Sequence, residues 1–136
     1  KDLFKQGHWG GIHAVYNIYN ATRICELREF AHDQGISIIW QNLFHPDYLD
    51  PFLHGQEVAE PAAAEINRFY ATGLATDAER MFFDQALRKY AAVTQSNPVM
   101  AKKFATHIHE IETKYHADKT GQFAKLWPEL TPLMDN

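Results

Sequence analysis

Residues 12–40 read IHAVYNIYNATRICELREFAHDQGISIIW, and this stretch decides the fold. Over 12–19, Ile12, Ala14, Tyr16 and Ile18 alternate with His13, Val15, Asn17 and Tyr19. A period of two is the signature of a strand, and bulky residues on both faces suit a strand covered on both sides. Asn20 is then a candidate N-cap, because its side chain can accept from a first-turn N–H that has no partner in the helix. The helix is expected over 21–34, with Ile24, Leu27, Phe30 and Ala31 on one stripe. Gly35 stands where a left-handed residue should end it. The short apolar run Ile36-Ser37-Ile38-Ile39-Trp40 is expected as a second strand, with Ile36, Ile38 and Trp40 on one side and Ser37, Ile39 and Gln41 on the other. Strand, helix, glycine, strand is the βαβ pattern, whose strands run parallel.

Outward from this unit the character changes. Phe44-His45-Pro46-Asp47 and Leu49-Asp50-Pro51 form a proline-rich loop. A helix is expected to start near Pro61, where proline is tolerated in a first turn, and to end at Gly73. Thr76-Asp77-Ala78-Glu79 matches a capping box. It introduces a helix with Phe83, Ala86, Leu87, Tyr90 and Ala91 on one face. Asn97 before Pro98 caps a third helix, whose stripe is Met100, Phe104, Ile108, Ile111 and Tyr115. A short segment over 123–134 follows Gly121. The expected fold class is therefore α/β: a parallel βαβ unit over 1–46, followed by an all-helical region over 47–136. One helix covers only one face of two strands. The tail can cover the other, but its two stripes are expected to pack on each other. A bare strand edge or an apolar patch should remain.

The composition bounds the function. The chain has 136 residues, 46% hydrophobic and 22% charged, with a net charge of −4. That is a globular composition, and no apolar run approaches the ~20 residues of a membrane span. The acidic balance disfavours nucleic acid, which selects basic faces. No leader pattern opens the chain. It begins on Lys1 rather than Met, which raises the expectation of a fragment or processed product in a cytoplasmic setting. The lone Cys25 excludes an internal disulfide and any metal or cluster site built from cysteines of this chain alone.

Eight histidines invite a metal reading. However, His107 and His109 are two apart on a helix and point in divergent directions. Glu112 and His116, four apart, supply only two ligands. Capping and solvated roles are expected for the histidines, and a small buried apolar role for Cys25. Gly7-His8-Trp9-Gly10-Gly11 lacks the spacing of a phosphate loop. The polar residues at the strand ends are the better candidates, because ligands of α/β sheets sit beyond the carboxyl ends of the strands. Asn17, Tyr19 and Asn20 close the first strand, Gln41 and Asn42 the second, and parallel neighbours would set all five on one rim. Capping and loop hydrogen bonds are the competing role.

The stretch Val15-Tyr16-Asn17-Ile18-Tyr19-Asn20, the helix with Cys25-Glu26-Leu27, Gly35-Ile36 and Asn42-Leu43-Phe44-His45-Pro46-Asp47-Tyr48-Leu49 resemble the late barrel region of twitch-domain radical S-adenosylmethionine proteins of phage and environmental type. The ending is similar to that group too, with Phe104, Ile108, Ile111, Phe123 and Trp127-Pro128-Glu129-Leu130. The resemblance implies that 1–46 ends a partial α/β barrel. It also implies S-adenosylmethionine and a [4Fe–4S] cluster held through CxxxCxxC. This chain has no CxxxCxxC, so it would be the C-terminal portion of a longer enzyme, without a cofactor of its own and inactive alone. Asn17, Tyr19, Gln41 and Asn42 would then stand at cofactor-binding rim positions, and the partner would be the missing N-terminal half. The rival reading is a non-enzymatic helical module that binds a protein partner.

Overall fold

The computed structural model describes residues 11–114 and 121–134. Strand β1 (Gly11–Tyr16) and strand β2 (Ser37–Asn42) pair in parallel, with Ile12 beside Ile38, Ala14 beside Trp40 and Tyr16 beside Asn42. Helix α1 (Ile24–Gln34) joins them. Two short 3-10 turns follow, Asp47–Leu49 and Pro51–Leu53. Then come α2 (Gln56–Ala71), α3 (Asp77–Ala91), α4 (Pro98–Lys114), α5 (Gln122–Leu126) and a final 3-10 stretch, Pro128–Leu133. The expected parallel βαβ unit and helical remainder are present. Gly35 ends α1 at φ 69°, a left-handed value that disfavours any residue with a Cβ.

Strand β1 stops three residues before the alternation does. The Asn17 Oδ1 accepts the N–H groups of Tyr19 and Asn20 at 2.9 and 3.1 Å. The Asn20 Oδ1 accepts the N–H of Asn17 at 2.9 Å. These asparagines fold 17–20 into a turn, and α1 begins only at Ile24. Asn20 is therefore not the N-cap. Arg23 holds that position without a side-chain cap. The carboxylate of Glu65, on α2, accepts the Cys25 N–H at 2.9 Å instead.

Helix α2 also departs from expectation, starting five residues before Pro61. Its first N–H, from Gln56, donates to the Gln95 carbonyl at 3.0 Å. The Asn97 Nδ2 donates to the Leu53 carbonyl at 2.8 Å. The start is thus built by docking 95–97 onto Gly55. A Cβ at Gly55 would lie 2.4 Å from the Asn97 nitrogen and 2.6 Å from the Ser96 Cα, so only glycine permits the approach.

The core divides in two. The larger cluster holds Ala14, Tyr16, Ile38 and Trp40 of the sheet, Ile24 and Ala31 of α1, Ile66 and Phe69 of α2, and Phe83 and Tyr90 of α3. The smaller holds Ile18, Val58, Phe104, Ile108, Phe123, Leu130 and Leu133. Contrary to the expectation, the stripes of α3 and α4 therefore do not pack chiefly on each other. That of α3 faces the sheet and α2, and that of α4 faces the C-terminal segment. The helices of the larger cluster lie against one face of the sheet. His13, Val15, Ser37, Ile39 and Gln41 on the other face are exposed, with Val15 at 38% and Ile39 at 51%. A parallel sheet is normally covered on both faces, so the expectation of cover on both sides of 12–19 fails and that of an open side holds.

Periodicity also misplaces one side of α1. Phe30 is 53% exposed, and the inward residue is Arg28. Its guanidinium donates to Glu79 Oε1 at 3.2 Å in a buried ion pair. The same carboxylate accepts the Trp40 indole N–H at 3.0 Å and the Thr76 backbone N–H at 3.0 Å. Thr76 Oγ1 accepts the Glu79 N–H at 3.1 Å, completing the expected capping box.

Three outcomes follow for stability. Thr76→Ala removes one cap and should cost ~1 kcal/mol in chemical denaturation, whereas Glu79→Ala strands a buried guanidinium and should cost about 3–5 kcal/mol. Equal costs would show that Glu79 acts only as a cap. Gly55→Ala overpacks backbone against backbone and should cost about 1–3 kcal/mol, read as a lowered melting temperature.

The third concerns acid. His54 is buried, donates Nε2–H to the Tyr48 carbonyl at 2.7 Å and leaves Nδ1 without a partner. Burial holds its imidazole below the usual histidine range, against the opposing pull of the Tyr48 carbonyl, Asp50, Glu57 and Asp47. The folded state therefore resists a proton that the unfolded chain accepts, so this contribution is full above about pH 6.5 and is lost as the pH falls below it. His54→Gln should be less stable than wild type at about pH 7.5 yet lose less stability on acidification to about pH 5.5. Parallel pH profiles for the two proteins would refute this.

Candidate functional site

The parallel register brings the carboxyl ends of β1 and β2 to one level, with Val15 beside Gln41 and Tyr16 beside Asn42. Ligands of such sheets bind beyond this end, and here a concavity of about 640 Å3 opens. Val15 and the run from Trp40 to His45 line it, together with Phe82 of α3. Gln41 and Asn42 are exposed, and both carry amides able to donate and accept. Phe44 is 82% exposed. This end of the sheet can offer two amides, an imidazole and aromatic surface to a ligand.

The four residues singled out in the sequence do not all meet there. Gln41 and Asn42 do. The Asn17 side chain is committed to its turn, and its Nδ2 also donates to the Val15 carbonyl at 3.1 Å. This is the local capping role weighed against function. Tyr19 turns away into an aromatic group with Phe104, Phe123 and Trp127. Burial pushes its phenol up to about 12, so the hydroxyl stays protonated at neutral pH. Asn20 donates Nδ2–H to the Val15 carbonyl at 2.9 Å and is likewise committed. The sequence reading missed Phe44, His45 and Phe82. Phe44 and His45 carry a signal in hindsight, since they immediately follow the strand end in the run Asn42-Leu43-Phe44-His45-Pro46. Phe82 comes from a helix 40 positions later and carries none.

Two further concavities lie apart from the strand ends. One, of about 550 Å3, runs along α4 between Lys102, Lys103, His107 and Glu110 and the 3-10 turn with Asp47 and Tyr48. Lys103 pairs there with Asp47 at 2.9 Å, and the Tyr48 hydroxyl lies 3.3 Å from His107 Nδ1. Burial lowers His107, which suits a neutral ring packed on Tyr48. The other, of about 300 Å3, lies between α4 and α5.

Burial and the contact with Glu65 push the Cys25 thiol up to about 12, the opposite direction from an activated thiolate. Among the described residues no three His, Cys, Asp or Glu side chains group as metal ligands, and no helix is long and apolar enough to cross a membrane. His116 and Tyr115 lie outside the described residues. Comparison with known protein families, curated proteins and solved structures gives no match to this chain.

Proposed function

We propose that this chain is the C-terminal portion of a radical S-adenosylmethionine enzyme, supplying the last strands of a partial α/β barrel and the helices that close it. One observation carries the reading: the helices of the larger core cluster lie on one face of the parallel pair, and the opposite face is open. That is the geometry of barrel staves, with helices outside and the other face turned to a lumen. His13, Val15, Ser37, Ile39 and Gln41 would line the lumen. The partner is then the N-terminal half of the same protein, whose strands would continue the sheet, and the setting is cytoplasmic.

The cluster belongs to that missing half. A [4Fe–4S] cluster needs several thiolates, and Cys25 is alone, half-buried and held as a thiol. S-adenosylmethionine would occupy the strand-end concavity. Gln41 and Asn42 would hold its polar groups, and Phe44 and Phe82 would shield it from water. When bound to a cluster, the cofactor supplies a radical to the substrate. This chain would orient the two and exclude solvent. Nucleic acid has no role in this reading.

The open face also favours a second reading, a non-enzymatic interaction module. Val15, Ile39 and Phe44 are exposed apolar residues at or beside the open face, and a protein partner would cover them.

The reading frame upstream of Lys1 separates the two. An in-frame CxxxCxxC is expected. The longer product, purified without oxygen and loaded with iron and sulfide, should cleave S-adenosylmethionine to 5′-deoxyadenosine. A Gln41→Ala/Asn42→Ala double variant should weaken cofactor binding about tenfold or more, as expected for two lost hydrogen bonds. An upstream frame without the cysteines ends the enzyme reading.

A further inference from the structure

Tyr19, which turns away from the strand ends, forms one side of the cavity between α4 and α5. This cavity shares no residue with the lumen or the strand-end site of the barrel reading, so each can be tested without the other. The cavity is small, about 300 Å3, at the lower end of the range for ligand sites. Its walls are Ile108 and Ile111 of α4, Phe123 and Leu126 of α5, and the rings of Tyr19 and Trp127. The rings of Phe123 and Trp127 stack with centroids 5.5 Å apart and planes at 17°. Tyr19 stands across both, at 77° to Phe123 and 62° to Trp127.

The polar groups of this aromatic corner are mostly accounted for. The Trp127 indole N–H donates to the Tyr19 carbonyl at 3.0 Å. Arg23, whose guanidinium lies 5.1 Å from the centre of the Trp127 ring, is paired with Glu129 at 3.3 Å, and neither lines the cavity. Among the described lining residues Glu112 is the one with a formal charge. Its Oε2 accepts the Phe123 N–H at 3.0 Å, which fixes the carboxylate at the wall.

We propose that this cavity binds a small organic amine, with its apolar group between the aliphatic and aromatic walls and its ammonium on Glu112. The argument is one of desolvation. Any ligand that fills the slot displaces water from beside the carboxylate. A neutral or anionic ligand brings no positive charge in place of that water, and the carboxylate keeps only the Phe123 N–H. An ammonium replaces the water with a charge-assisted hydrogen bond. The stacked rings suit a flat apolar group.

The test titrates 2-phenylethylamine, neutral 2-phenylethanol and anionic phenylacetate into the chain, following the Trp127 indole N–H by nuclear magnetic resonance. A Trp127→Phe variant identifies that resonance. The amine should shift it saturably with a dissociation constant on the order of 1 mM, and the other two should bind at least about tenfold more weakly. Glu112→Gln keeps a carbonyl to accept the Phe123 N–H, so it should fold and still lose about tenfold for the amine. Ile111→Trp fills the slot and should abolish the shift. The proposal is overturned if no probe shifts the resonance, if the three bind alike, or if the amine binds equally well to Glu112→Gln.

Discussion

The carboxylate of Glu79 is the point on which the larger core depends. It is 1% exposed, yet it accepts from Arg28 of α1, the Trp40 indole of β2 and the backbone at the start of its own helix. A buried ion pair contributes little net stability, because desolvating both charges offsets their attraction. What it supplies is specificity. Helix α3 can satisfy that carboxylate only with its first turn beside Trp40 and Arg28, and this fixes α1 and α3 on the same face of β2. The open face on the other side is the counterpart of this arrangement: with the helices anchored around one buried charge, no helix among the described residues covers the other face of β1 and β2.

The parts of the fold that were legible in the sequence rest on short-range rules. The alternation from Ile12 to Tyr16, the left-handed Gly35 and the Thr76–Glu79 box each act within a few residues, and each appears in the structure. The failures are long-range. Arg28 takes the inward place beside Ile24 and Ala31 because its partner lies 51 positions away, and Phe30 is left outside. Pro61 suggests a helix start, yet the start is made at Gly55 by a loop 40 residues further on. Partner choice between the stripes of α3 and α4 was not legible either, since both are apolar at the same period.

The candidate site divides along the same line. Gln41 and Asn42 lie where strand direction alone sets them. Asn17 and Tyr19 share their level in the sequence, but their side chains answer to competing partners: the backbone of a tight turn for Asn17, and an aromatic group from the C-terminal segment for Tyr19. Asparagine after a strand is ambiguous for a physical reason, because the groups that would bind a ligand are also those that mimic a turn.

One detail of that turn bears on how the sheet can grow. The Val15 carbonyl accepts from both the Asn17 and the Asn20 amides, at 3.1 and 2.9 Å. With both amides on it, that carbonyl is already partnered within its own chain. The two asparagines thus act as a stop, giving the end of β1 partners other than an added strand.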